Sequence, residues 1–170
     1  KDFVRLRLTG ETAMEVSDAA GTLLFDVRKR AWSETVLDRL QIPTEWVPPV
    51  YESVDVCGRI TREVAEQTGL DEGTPVVGGG ADNACTAVGN GIVHEGAVGA
   101  SLGTSGTVVA HTDQVLVDPG LRAHTFCHAV PGRWYTMGVM LSAGGAFRWF
   151  RDVLGDAETA EAEERGLDPY

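Results

Sequence analysis

The stretch from Pro75 to Gly106, PVVGGGADNACTAVGNGIVHEGAVGASLGTSG, constrains the fold of this chain more than any other. Two apolar runs, Pro75 to Gly80 and Ala97 to Leu102, each lead into a glycine-rich turn. A short apolar run bounded by glycine reads as a buried strand. The small residues of Asp82 to Val88 suit a helix packed closely on a sheet. Ala97 to Leu102 and Thr107 to His111 read as a hairpin around Gly103-Thr104-Ser105-Gly106. A strand–helix unit followed by a β-rich block predicts a mixed α/β protein.

The rest of the chain supplies the flanks. Lys1 to Leu8 is amphipathic and ends at Gly10, which predicts a helix with a glycine stop. Ser17 to Thr22 carries turn and cap chemistry. Ser33 to Leu40 predicts a helix capped by Ser33 and halted before Pro43. Thr44 to Val56 reads as irregular, and Thr61 to Thr68 as a short helix closed by Gly69. Arg122 to Ala129 and Arg133 to Met140 predict strands joined by Pro131-Gly132, and Ser142 to Leu154 predicts a helix. Asp156 to Arg165 is acidic and reads as a solvated helix face. The Asn90-Gly91 turn closes one unit, so a domain border is expected between residues 1–93 and 94–170. Starting inside a helix and ending after an acidic run, the chain reads as a piece of a longer protein.

Composition narrows the partners. The net charge of −11 over 170 residues argues against nucleic acid, because nothing neutralises a phosphate backbone. A nucleotide is compatible, since N–H dipoles and Mg²⁺ can hold a triphosphate inside an acidic protein. No apolar run approaches the roughly 20 residues that span a bilayer, so no membrane partner is expected. Cys57, Cys85 and Cys127 are odd in number and form no CxxC pair, which fits a reducing cytoplasm rather than a disulfide framework.

Asp82 stands where a strand opens into a helix, beside Gly78-Gly79-Gly80. Glycines let the backbone approach a ligand, and a carboxylate there can take a proton from a hydroxyl. Asn83 can hydrogen-bond a neighbouring hydroxyl. A helix cap at Asp82 accounts for the same residues. The Gly103-Thr104-Ser105-Gly106 turn is neither a Walker A loop nor a nucleophile elbow. It can form a nest of N–H donors for an anion, or simply close a hairpin. Gly144-Gly145 opens a helix N-terminus toward a phosphate, or packs it tightly. His124 and His128 share a strand face with Cys127 pointing away, and no metal is expected there. Trp134, Phe147, Trp149 and Phe150 read as core.

PVVGGGADNACTAVGNGIV, followed by GASLGTSGTVVAHTD, resembles the FGGY family of carbohydrate kinases. HTFCHAVPGRWYTMGVMLSAGG is similar to members of that family acting on xylulose. KDFVRLRLTGETAMEVSDAAGTLLFDVRKRAWS resembles the family's segment leading into the catalytic unit. The resemblance implies the actin-like, ribonuclease-H-like ATPase fold, in which two α/β domains close over ATP and sugar. Residues 1–93 would end the sugar-binding domain and residues 94–170 begin the nucleotide-binding one. It further implies ATP-dependent transfer of the γ-phosphoryl to the C5 hydroxyl of D-xylulose, giving D-xylulose 5-phosphate. Asp82 would be the catalytic base, with Asp82 and Asn83 on the sugar. Gly103, Thr104, Ser105 and Gly144 would meet the nucleotide, and Mg²⁺ would accompany ATP. A sugar and ATP are the implied partners, a homodimer stays open, and the segment alone would be inactive. Glycerol, gluconate, ribulose or a deoxy-ketose as substrate stays an alternative, as does a non-catalytic actin-like nucleotide-binding module.

Overall fold

The computed structural model describes residues 1–168. It opens with α1 (Asp2–Thr9), β1 (Met14–Glu15), α2 (Val16–Ala19), β2 (Phe25–Asp26), β3 (Ala31–Trp32) and α3 (Glu34–Leu40). Then come β4 (Val50–Tyr51), β5 (Val56–Arg59), α4 (Arg62–Thr68), β6 (Pro75–Val77) and α5 (Asp82–Gly89). β7 (Val98–Leu102), β8 (Gly106–Thr112), β9 (His124–Cys127), β10 (Trp134–Met140), α6 (Gly144–Leu154) and α7 (Asp156–Arg165) complete it. Among the described residues no helix is long and apolar enough to cross a membrane. The chain divides into two compact units: residues 1–99 with 109–137, and residues 100–108 with 138–168.

Local chemistry explains several helices. Ser33 and Thr61 accept the Val36 and Val64 N–H groups at the starts of α3 and α4, satisfying donors the helix leaves open. α2 replaces the turn expected over Ser17 to Thr22, and one 3-10 turn at Ala20–Thr22 follows it. The reason is Glu15, whose carboxylate accepts from the Ser17 and Asp18 N–H groups and caps a helix there. Thr44 to Val56 also holds more order than expected, a 3-10 turn at Thr44–Trp46 and the strand β4. β4 is ordered by pairing parallel with β1, Met14 opposite Val50 and Glu15 opposite Tyr51.

In the first unit one cluster joins Ala84, Ala87, Ile92, Val109, Tyr135 and Met137. A second joins Val16, Ala19, Ala20, Phe25 and Cys127, and Phe126 packs against both. The small residues of α5 thus meet the β-rich block as the sequence predicts. β9 and β10 pair antiparallel, Cys127 opposite Trp134 and His124 opposite Met137, within the order β7-β8-β10-β9. β6 forms where expected, but Pro75 and Val77 are exposed. It belongs to a two-stranded ribbon with β5, which provides no flanking strand.

In the second unit α6 carries an apolar stripe, yet Phe147, Trp149 and Phe150 are each more than half exposed. They are therefore not core. α6 meets α7, whose sequence DAETAEAEER has too little apolar surface to cover it. Trp134, in the first unit, is half-buried. Its indole N–H donates to the Val27 carbonyl at 2.7 Å, and the Arg30 guanidinium lies 5.3 Å from its ring.

Candidate active site

Asp82 is the first residue of α5 and is exposed. Its Oδ1 accepts from the Asn83 N–H at 2.7 Å and from the Asn83 Nδ2 at 3.2 Å. Among the described residues Oδ2 has no hydrogen-bond partner, and the residue is exposed. Ala81, not Asp82, stands at the N-cap. Burial pushes the Tyr135 phenol above its ordinary range, and the Asp82 charge adds to the effect. Tyr135 and Ala81 pack in one cluster, which seats the start of α5 on the β-rich block.

The chain ahead of Asp82 is tied down at Gly78, Gly79 and Ala81. The Gly78 N–H donates to the Asp55 carbonyl at 2.9 Å, and the Gly79 N–H to the Ser53 carbonyl at 3.0 Å. Buried Arg5 donates from Nη1 to the Gly78 carbonyl at 2.9 Å, and Nη2 binds Ala13 O and Asp2. The Ala81 N–H donates to Ser17 Oγ at 2.9 Å. Gly79 has φ +73°, a left-handed conformation that suits glycine. Gly80 lies against Cys85, where an added Cβ would fall 2.9 Å from the sulfur.

Glu15 is fully buried beneath this turn. Oε1 accepts from the Ser17 N–H at 2.8 Å and the Ser53 hydroxyl at 2.6 Å. Oε2 accepts from the Ser17 hydroxyl at 2.6 Å and the Asp18 N–H at 3.3 Å. Arg5, Glu15, Ser17 and Ser53 escaped the sequence reading. The run MEVSDAAGT signals only a local turn, and no spacing reports that it lies under a glycine loop more than 60 residues later.

Gly103, Thr104, Ser105 and Gly144 come together in the second unit. The Gly103 N–H donates to the Ser105 carbonyl at 2.8 Å, closing the turn on itself. The Gly103 carbonyl accepts the Gly144 N–H at 3.0 Å. The Thr104 carbonyl accepts the Ala143 and Gly145 N–H groups at 2.8 and 3.1 Å. The start of α6 is thus capped by the turn. Its Gly144 N–H is engaged with Gly103 rather than open to a ligand. A Cβ on Gly144 would lie 2.5 Å from the Gly103 carbonyl oxygen, so only glycine permits this approach. Thr104 and Ser105 are exposed and present two hydroxyls at the tip.

The histidines take structural places. Buried His128 accepts the Val130 N–H on Nδ1 at 3.0 Å, so its proton sits on Nε2 and is donated to the Ile92 carbonyl at 2.9 Å. Its ring lies 5.2 Å from His111 and 5.8 Å from Tyr135. His124 is exposed on β9. Burial pushes the Cys127 thiol up to about 12.

Asp82 and Asn83 belong to the first unit, and the 103–105 turn and Gly144 to the second. Relatives supply the context. The chain is 44% identical over 155 residues to a xylulose kinase of Escherichia coli (strain K12), covering 91% of this chain and 32% of that protein. It is 40% identical over 168 residues to a xylulose kinase of Bacillus subtilis (strain 168), covering 99% and 34%. A crystal structure of a xylulose kinase from Brucella ovis matches with TM-score 0.86 and 38% identity, over 91% of this chain and 32% of the other. The chain therefore spans about a third of the length of these relatives. Its mixed helices and sheets are part of the actin-like ATPase fold that its structural neighbours share. Residues 1–89, more than half of the chain, match the N-terminal domain of the FGGY family of carbohydrate kinases, and the chain belongs to that family.

Proposed function

We propose that the intact protein is an ATP-dependent sugar kinase that phosphorylates D-xylulose at its C5 hydroxyl. The observation that carries this is the likeness to two xylulose kinases across 91–99% of the chain. Asp82 is the general base. Its Oδ2 takes the proton of the sugar hydroxyl as the phosphoryl group arrives, while Asn83 holds the other oxygen and a neighbouring sugar hydroxyl. The transition state of phosphoryl transfer is loose, so positioning and charge stabilisation matter more than early proton removal. Thr104 and Ser105 are the nucleotide-side donors, with their hydroxyls and the backbone of the turn directed at phosphate oxygens. Gly103 and Gly144 let the turn and the start of α6 meet closely enough to form that surface.

Mg²⁺ binds through one or two carboxylates together with substrate phosphates, so the nucleotide would carry most of its ligands. When bound, the ion supplies charge neutralisation at the transferring group. We place the border between the sugar-side and nucleotide-side segments at residues 93 and 94, which the family match over residues 1–89 supports, while the compact units of the chain keep 94–99 and 109–137 with the first. The last residues of the second segment, 169–170, lie outside the described residues.

Release of ADP by the intact protein, with ATP, Mg²⁺ and a panel of D-xylulose, glycerol, gluconate and ribulose, tests the proposal. D-xylulose is expected to give the highest kcat/KM, and chelation of Mg²⁺ to stop turnover. Preference for another sugar would move the protein to another kinase of the family. No sugar-dependent ADP release at all would leave a nucleotide-binding module.

A further inference from the structure

We propose that Glu15 and Ser17 are positioning residues for Asp82, acting through a buried hydrogen-bond relay that fixes both ends of the 79–81 turn. The proposal rests on reading Asp82 as the base. Among the described residues the side chain of Asp82 is bonded only to its neighbour Asn83. Its place is therefore set by the backbone just upstream. That backbone is referred to a single carboxylate by two routes. On one side the Gly79 N–H donates to the Ser53 carbonyl, and the Ser53 hydroxyl donates to Glu15 Oε1. On the other the Ala81 N–H donates to Ser17 Oγ, and the Ser17 hydroxyl donates to Glu15 Oε2.

The direction of each bond is determined. An ionised carboxylate accepts only, so both serines must give it their protons. A hydroxyl that has given its proton toward Glu15 presents its lone pairs elsewhere, and Ser17 presents one to Ala81. Burying a carboxylate is unfavourable unless hydrogen bonds replace its water. Capping α2 requires just the Ser17 and Asp18 N–H groups. The two hydroxyls go beyond capping, and both lead to the turn that carries Asp82. Misplacing a reacting group by about 1 Å can cost on the order of 10² in rate.

The test uses the intact protein, D-xylulose and ATP, with Ser17→Ala, Glu15→Gln, Asp82→Asn and the double variant Ser17→Ala/Asp82→Asn. Ser17→Ala is expected to lower kcat by about tenfold or more while KM for ATP is kept. Glu15→Gln, which offers an N–H₂ group where one hydroxyl needs an acceptor, should do the same. In the Asp82→Asn background Ser17→Ala should cause no further loss, because the residue it positions is gone. Losses that multiply in the double variant would mean general destabilisation and overturn the proposal. So would a Ser17→Ala kcat close to wild type alongside an inactive Asp82→Asn, an outcome that leaves the base assignment standing. Near-normal turnover in Asp82→Asn would overturn the base assignment and this proposal with it. Amide exchange of the folded wild-type protein gives a reading independent of any variant. Ala81 should be protected, and fast exchange there would end the argument.

Discussion

Asp82 stands out in the sequence because its signal is local, and the structure places it at the first position of α5. A carboxylate at the junction of a glycine turn and a helix needs nothing distant to be noticed. Asp82→Asn keeps the shape and the contacts to Asn83 but removes the proposed proton acceptor, and general-base help is typically worth about 10²–10⁴-fold. A kcat loss in that range is expected, with the thermal shift on adding ADP retained; a variant that turns over normally would refute the role. Gly144 was read two ways, as a ligand contact and as a packing residue, and the 2.5 Å approach of an added Cβ to the Gly103 oxygen gives packing a concrete reason. Gly144→Ala should lower thermal stability, since overpacking costs roughly 1–3 kcal/mol, and a melting curve of the variant checks it. Glu15 and Ser17 were illegible for the opposite reason. Their partners, Ser53 and Ala81, lie 38 and 64 residues away.

Elements were readable in proportion to how far their causes lie along the chain. α3 and α4 carry their own caps, and α5 its own small-residue face, so all three fall where expected. β1 and β4 are two residues each and exist because they pair with one another, a fact no window of sequence contains. For α6 the position was legible and the burial was not, because periodicity reports an apolar stripe but not what covers it. The 103–105 turn and α6 form one element pair through carbonyl caps. The Thr104 carbonyl does the capping, and among the described residues its exposed hydroxyl has no hydrogen-bond partner. Thr104→Val should therefore leave the melting temperature near wild type and raise KM for ATP or lower kcat. Unchanged ATP kinetics would remove the turn from the nucleotide site.

At the scale of the molecule, His128 ties stability to pH. Burial lowers the pKa of His128 from its ordinary value near 6.5, and neighbouring His111 and Arg30 add to this against the opposing Ile92 carbonyl. The folded state resists a proton that the unfolded state accepts. The contribution of His128 is thus complete above about pH 6.5 and is lost as pH falls below it. Protonation would also convert Nδ1 from acceptor to donor and break the Val130 bond. The melting temperature should decline between pH 7 and 5.5, and His128→Gln should flatten that decline while lowering the plateau. Equal slopes for the two proteins would contradict the linkage. The turn before Asp82 has one more consequence, and it concerns time. Its supports come from Arg5, Ser17 and Ser53, brought in from sequence separations of 73, 64 and 26 residues. Closing long loops is entropically costly and slows the contacts that depend on it. An eight-residue helix such as α5 needs its packing partners, and the orientation of its first carboxylate waits in addition for three remote segments to dock. With Asp82 as the proposed base, competence of the intact protein is then a late event on the folding path, and its refolding would restore the helix signal before turnover.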